Sequence, residues 1–149
     1  MRGRIINNIW DEGTGVAIVT KATPYGTYTA ATKVAAEDRD VMTSWDGFHF
    51  CEMKCDIQAM HEKSKRLYQR AIGIQNALKA LDNQTKLNPD LDPYTLDMLG
   101  RQADVAFKEA KQCKEIYKEM RDAYPAYTQI KLNQRRKLRD KVEKINPED

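Results

Sequence analysis

His49, Cys51, Cys55 and His61 are the one cluster in this 149-residue chain whose side-chain types could hold a transition metal. Cys51 and Cys55, four residues apart, share one face if the segment is helical. The set is incomplete as a zinc site. His61 lies six residues beyond Cys55 on a different helical face, and the remaining thiol, Cys113, is distant along the chain. Small buried thiols and ordinary polar histidines are the expectation, with no metal bound. Nucleophilic catalysis needs Ser or Cys held against a base, yet both histidines fall near one helix start and no nucleophile-elbow pattern accompanies them. Gly13-Thr14-Gly15 reads as a hairpin turn, followed by neither a P-loop Lys-Ser/Thr pair nor a dinucleotide fingerprint. The chain is therefore expected to bind or assemble, not to catalyse, and no cofactor is implied.

Charge offers two further candidates. Asp97, Asp104, Glu109 and Glu115 read as a solvated helical face, with Asp97 and Arg101, and Asp104 and Lys108, as i,i+4 partners. Lys131, Arg135, Arg136, Lys137, Arg139, Lys141 and Lys144 form the strongest charge bias in the chain. These side chains suit phosphates of a nucleic acid or a nucleotide, with Arg135, Arg136 and Arg139 as the contacts to neutralise first. Asp140 and Glu143 interrupt the run, and Leu138, Val142 and Ile145 give it an apolar face, so a solvated amphipathic helix is the competing reading. Trp10, Trp45, Tyr94, Phe107 and Tyr127 are the aromatics available to stack on a base. Trp10 and Trp45, at element ends, are expected to seal the packing of sheet on helix.

The elements that must position these residues follow from periodicity and turn chemistry. Arg4 to Trp10, Val16 to Lys21 and Thr27 to Ala35 are rich in Ile, Val, Thr and Tyr and read as strands. The turns between them are Asp11-Glu12-Gly13-Thr14-Gly15 and Thr23-Pro24-Tyr25-Gly26. A three-stranded antiparallel meander over residues 1–40 results. Its third strand alternates Tyr28, Ala30, Thr32 and Val34 against Thr29, Ala31 and Lys33, so one face requires a cover. After the charged link Glu37-Asp38-Arg39-Asp40, Thr43 or Ser44 can cap a long helix, with Asp46 completing a capping box.

Phe50, Met53, Ile57, Met60, Ser64, Leu67, Ala71, Ile74, Leu78 and Leu81 recur in steps of three and four, which is a heptad seam. Asn88-Pro89-Asp90-Leu91 breaks the chain, and Asp92 before Pro93 starts a second helix whose seam is Leu96, Leu99, Ala103, Ala106, Ala110, Cys113, Tyr117, Met120 and Tyr124. The two are expected to pair antiparallel as a hairpin over residues 44–124, the alanines permitting close approach. Pro125 then restarts a basic helix over 125–146 with Tyr127, Ile130, Leu138, Val142 and Ile145 on one side, ending at Asn146-Pro147. The expected fold is α+β, a single domain in which a β-meander packs on a long helical hairpin that carries a basic C-terminal helix. Gly73, inside the first helix, costs it about 1 kcal/mol relative to Ala and marks either a close crossing, a ligand approach or a harmless surface position.

Composition sets the class. Charged residues make up 32% and mean hydropathy is -0.74, polar for a compact monomer and ordinary for long exposed helices or a subunit of a homo-oligomer. A net charge of +3 does not by itself imply a nucleic-acid partner. No stretch matches a signal peptide or a membrane span, and an odd count of three cysteines fits reduced thiols, so the cytosol is the expected compartment.

Ser44-Trp45-Asp46-Gly47 followed by Phe50-Cys51-Glu52-Met53-Lys54, after a strand meander and leading into a long helical hairpin, resembles the first type of phage Thoeris anti-defence sponge. The resemblance covers residues 4–124. It implies a non-catalytic oligomer that sequesters a cyclic ADP-ribose isomer, the cyclic nucleotide signal of a bacterial immune system, in the cytosol of the host. The basic segment after Pro125 departs from the family pattern. Such a ligand wants Arg for its phosphates, an aromatic slot for adenine and polar groups for ribose. Arg70, Tyr94, Asp104 and Arg121 are the candidate ligand-binding residues, with Arg101 next. Two other functions stay open: a nucleic-acid-binding accessory protein using the basic helix, and an inhibitor that docks the helical hairpin on a protein partner.

Overall fold

The computed structural model describes residues 1–87 and 92–145. Strands β1 (Arg4–Asp11), β2 (Val16–Thr23) and β3 (Gly26–Lys33) form an antiparallel sheet in the order β1-β2-β3. A short 3-10 turn at Ala36–Asp38 leads to helix α1 (Ser44–Leu87), and helix α2 spans Pro93–Ile145. This is the expected α+β architecture of meander and helical hairpin. The expected break at Asn88-Pro89-Asp90-Leu91, the side chain of Ile145 and the ending at Asn146-Pro147 lie outside the described residues. The chain divides into two compact units: Met1–Ala59 with Lys118–Asp149, and Met60–Tyr117.

In the sheet-containing unit, the first turn closes because the Asp11 carboxylate accepts from Gly13 N at 3.0 Å and from Thr14 Oγ1 at 2.9 Å. Gly15 completes it at φ +70, a left-handed backbone open to glycine. Ala17, Val19 and Lys21 of β2 and Ala30 and Val34 near β3 alternate onto the covered face. Trp10, Tyr28 and Phe48 pack around a cluster of Ala17, Val19, Ala30, Cys51 and Cys55. The α1 residues under the sheet are small and four apart: Gly47, Cys51, Cys55 and Ala59. A Cβ at Gly47 would lie 2.8 Å from Ala17 Cβ, so this glycine permits the helix to approach the strand. The capping box forms as expected, with Asp46 N donating to Thr43 Oγ1 at 3.2 Å and Thr43 N to Asp46 Oδ2 at 3.0 Å.

Lys21 is only 2% exposed although it occupies the core face. Its ammonium donates at 2.8 Å to both Glu52 and Asp56, one helical turn apart on α1. Burial alone would lower its pKa, but these carboxylates outweigh that and hold it above the ordinary lysine value.

The segment after Pro125 differs from expectation. Helix α2 continues through Pro125 to Ile145, so the basic stretch is the end of the second helix and not a third one. Tyr124 and Leu132, on either side of the proline, both pack against the Val34, Met42 and Phe50 cluster. This packing holds the helix across a residue that costs it about 3 kcal/mol. Of the expected apolar side, Ile130, Leu138 and Val142 are exposed, whereas the Tyr127 ring meets Phe50 edge to face at 6.2 Å. The inward positions include the arginines. Arg135 donates to Asp46 at 2.9 Å, and Arg136 grips Asp38 with two bonds of 2.9 and 2.8 Å. Arg139 reaches Asp40 at 3.5 Å. The Arg136 bonds hold Asp38 below the usual carboxylate range. Burial would raise Asp46, but the Thr43 backbone and Arg135 more than offset it, and its pKa too is lowered.

The second unit is helical. Asp92 caps α2, accepting from Tyr94 N at 3.0 Å. Ala103, Ala106, Ala110 and Cys113 of α2 and Ser64 and Ala71 of α1 are buried, the two helices running antiparallel with Cys113 Sγ 3.3 Å from Met60 Sδ. Gly73 has no atom within 4 Å of an added Cβ, which makes it a surface position.

Candidate ligand-binding groove

The groove with the richest set of recognition groups lies within the helical unit and has a volume of about 480 Å³. His61, Ser64, Lys65 and Tyr68 line it from α1, at helical spacings that keep them on one side. Phe107, Ala110, Lys111, Lys114 and Tyr117 line it from α2. His61 stacks on Tyr117 with centroids 4.4 Å apart and rings 12° from parallel. Tyr68 and Phe107 meet edge to face at 6.0 Å. The small side chain of buried Ala110 leaves space between these two aromatic pairs. Among the described residues no ion pair engages Lys65, Lys111 or Lys114.

The arrangement offers aromatic faces beside three cationic donors. A planar heterocycle can stack, and phosphates can meet the lysines. A volume of this order is typical of small-ligand sites, which run to about 300–1,000 Å³. The Ser64 hydroxyl in the groove donates to the His61 backbone carbonyl at 2.8 Å.

The candidate residues from the sequence are distributed differently. Arg70 and Arg101 do come together, in a shallower depression of the helical unit with Ile74, Met98, Gln102, Val105, Ala106 and Glu109. Arg101 is paired there with Asp97 at 3.1 Å, as its spacing suggested. Tyr94 and Asp104 are exposed and lie outside that depression, and no ion pair joins Asp104 to Lys108. Arg121 belongs to the sheet-containing unit, beside Asp122 at 3.2 Å. Of the stacking aromatics named from sequence, Phe107 alone lines the groove. Trp10 packs in the core as expected, whereas Trp45 is 77% exposed and seals nothing.

The cysteine-histidine cluster is also dispersed. Cys51 donates to the Ala17 carbonyl at 3.3 Å and Cys55 to that of Tyr28 at 3.4 Å, directing both thiols at the sheet. Burial pushes the Cys55 and Cys113 thiols up. His49 approaches the Tyr127 hydroxyl at 3.3 Å, and His61 belongs to the other unit. Among the described residues no group of three potential metal ligands converges. No described helix is long and apolar enough to cross a membrane.

A hollow of about 340 Å³ in the sheet-containing unit has two of its three charged lining residues already engaged, Lys33 being the third. There Asp38 is held by Arg136, and Lys54 donates to the Ala31 carbonyl at 2.8 Å. The lysine groove is thus the better candidate. Comparisons with family models, with curated proteins and with solved structures find no significant match to the chain.

Proposed function

We propose that this protein is a non-catalytic, homo-oligomeric binding protein that sequesters a phosphate-bearing cyclic nucleotide. A cyclic ADP-ribose isomer, the immune signal implied by the family resemblance, is the first ligand to test. Sequestration in the host cytosol during phage evasion of bacterial defence is the corresponding role. The observation that carries the reading is the juxtaposition, in one groove of the helical unit, of two aromatic pairs and three lysines that have no ion-pair partner among the described residues. The engagement of Arg135, Arg136 and Arg139 by Asp46, Asp38 and Asp40 weighs against the nucleic-acid alternative, because phosphates would have to displace existing partners.

Isothermal titration with cyclic ADP-ribose isomers and cyclic di- and trinucleotides tests this. A charge-assisted hydrogen bond contributes about 1.5–3 kcal/mol, so Lys65→Gln, Lys111→Gln and Lys114→Gln should each weaken binding about tenfold or more. Tyr68→Ala should lose a comparable factor through stacking, about 1–3 kcal/mol. Binding that survives the triple lysine change but fails in Arg70→Gln/Arg101→Gln would transfer the site to the shallower depression. A chemically altered ligand would contradict the non-catalytic reading.

A further inference from the structure

Strand β1 is an edge of the sheet, and its uncharged run Ile5-Ile6-Asn7-Asn8-Ile9-Trp10 carries three exposed isoleucines. Such an edge, with free backbone donors and acceptors over about 27 Å, is a template for another strand. The opposite edge is partly occupied, since Lys54 bonds the Ala31 carbonyl of β3.

The register of β1 shows which strand fits. Ile5 pairs with Lys21, but from Asn7 onward the pairing shifts by one, leaving Ile6 as the extra residue of a bulge. Opposite the covered β2 residues Ala17, Val19 and Lys21 stand Trp10, Asn8 and Ile5, which therefore share the helix side. Arg4, Asn7, Ile9 and Asp11 share the other side. A two-fold axis through Asn8 then sets two antiparallel β1 strands in consistent register. Asn8 faces Asn8 of the second copy, Ile5 faces Trp10, Asn7 faces Ile9, and Arg4 faces Asp11. Each facing pair lies on a common side of the sheet. Without the bulge, Arg4 and Asp11 would point to opposite sides, because side chains alternate along a strand. The ends are complementary in charge, and each Arg4–Asp11 contact occurs twice.

We infer that β1 docks on β1 of a second copy of this chain, joining two sheets into one of six strands about a two-fold at Asn8. On the helix side, Trp45 borders a depression of about 160 Å³ shared with Ile5 and Asn8, next to the joint. The exposed ring thereby lies at the interface rather than in open solvent. The inference gives the homo-oligomer of the proposed function a contact surface, but does not rest on the ligand or on the lysine groove.

Directly opposed residues in an antiparallel pair have Cα atoms about 4.5–5.5 Å apart, within the range a disulfide spans. Asn8→Cys should therefore give a covalent dimer on oxidation, while Asn7→Cys, facing Ile9 of the second copy, should not. The three native thiols are buried, which limits background crosslinking. Sedimentation velocity of the unmodified chain should show a dimer, and Arg4→Asp, which turns both end contacts repulsive, should raise its dissociation constant about thirtyfold. A single-chain mass at every concentration tested, or crosslinking at position 7 and not at 8, overturns the inference. Circular dichroism of each variant verifies that the fold is retained.

Discussion

Replacing Lys21 by Met should destabilise the sheet-containing unit by about 2–3 kcal/mol. The ammonium sits 2.8 Å from each of two carboxylates, and at an effective dielectric of about 20 each contact is worth roughly 6 kcal/mol of gross attraction. Most of that is offset by removing the lysine from water, so the gross figure is not the loss. The loss is set by what the carboxylates do afterwards. Glu52, with its side chain 40% exposed, rehydrates readily, whereas Asp56, at 16%, stays largely shielded with only the Met1 ammonium, 3.6 Å away, as a counter-charge. Breaking a fully buried pair costs about 3–5 kcal/mol, and partial exposure of the survivors reduces this to the lower figure. Urea unfolding followed by circular dichroism reads the change as a lower midpoint at unchanged slope. Adding Asp56→Asn should recover part of it, because the shielded charge, left with the Met1 ammonium alone, is gone. A Lys21→Met protein as stable as the parent would refute the reasoning, since the trio would then contribute no more than an apolar side chain in its place.

Lys21 also gives an alkaline signature. Its native pKa is raised, so its contribution is complete below the ordinary lysine value and declines as pH rises through the native one, which Lys21→Met should abolish in alkaline unfolding curves. Asp38 and Asp46 titrate the opposite way: with lowered native values, they support folding fully above about pH 4 and lose that support as pH falls below it. Acid unfolding followed by tryptophan fluorescence should consequently begin at higher pH in Arg136→Gln, where the partner of Asp38 is lost. Gly47→Ala should lower stability by about 1–3 kcal/mol, because its methyl group meets Ala17 and the Trp10 ring. Gly73→Ala should raise the thermal midpoint, gaining about 1 kcal/mol of helix propensity in open space.

Local chemistry carried much of the architecture into the sequence. The Asp11 to Gly15 turn, the Thr43–Asp46 capping box and the Asp92-Pro93 start each depend on a few adjacent residues, and each forms where the pattern placed it. The seam Ala103, Ala106, Ala110 and Cys113 was legible for the same reason. What escaped depends on partners far along the chain. Continuity through Pro125 is enforced by contacts of Tyr124 and Leu132 with residues 34–50, which no local rule contains. The arginines looked like a phosphate-binding surface because their carboxylate partners lie about ninety residues earlier. The Gly47, Cys51, Cys55 and Ala59 stripe carries little apolar signal, yet its small size sets the helix against the sheet. The groove was the least legible feature. Lys65, Lys111 and Lys114 are ordinary surface lysines in sequence, and only the antiparallel pairing of the two helices gathers them beside Tyr68 and Phe107. Two signals were present: the spacing of His61, Lys65 and Tyr68 on α1, and that of Phe107, Lys111 and Lys114 on α2.

The most direct test is native mass spectrometry of the purified protein before and after incubation with cyclic ADP-ribose isomers and cyclic di- and trinucleotides, with chromatography of whatever heat releases. Retention of an unaltered cyclic nucleotide by an oligomer, lost in Lys65→Gln/Lys111→Gln/Lys114→Gln, is the predicted result. Failure to retain any of these compounds, or retention undiminished by the lysine changes, would contradict it.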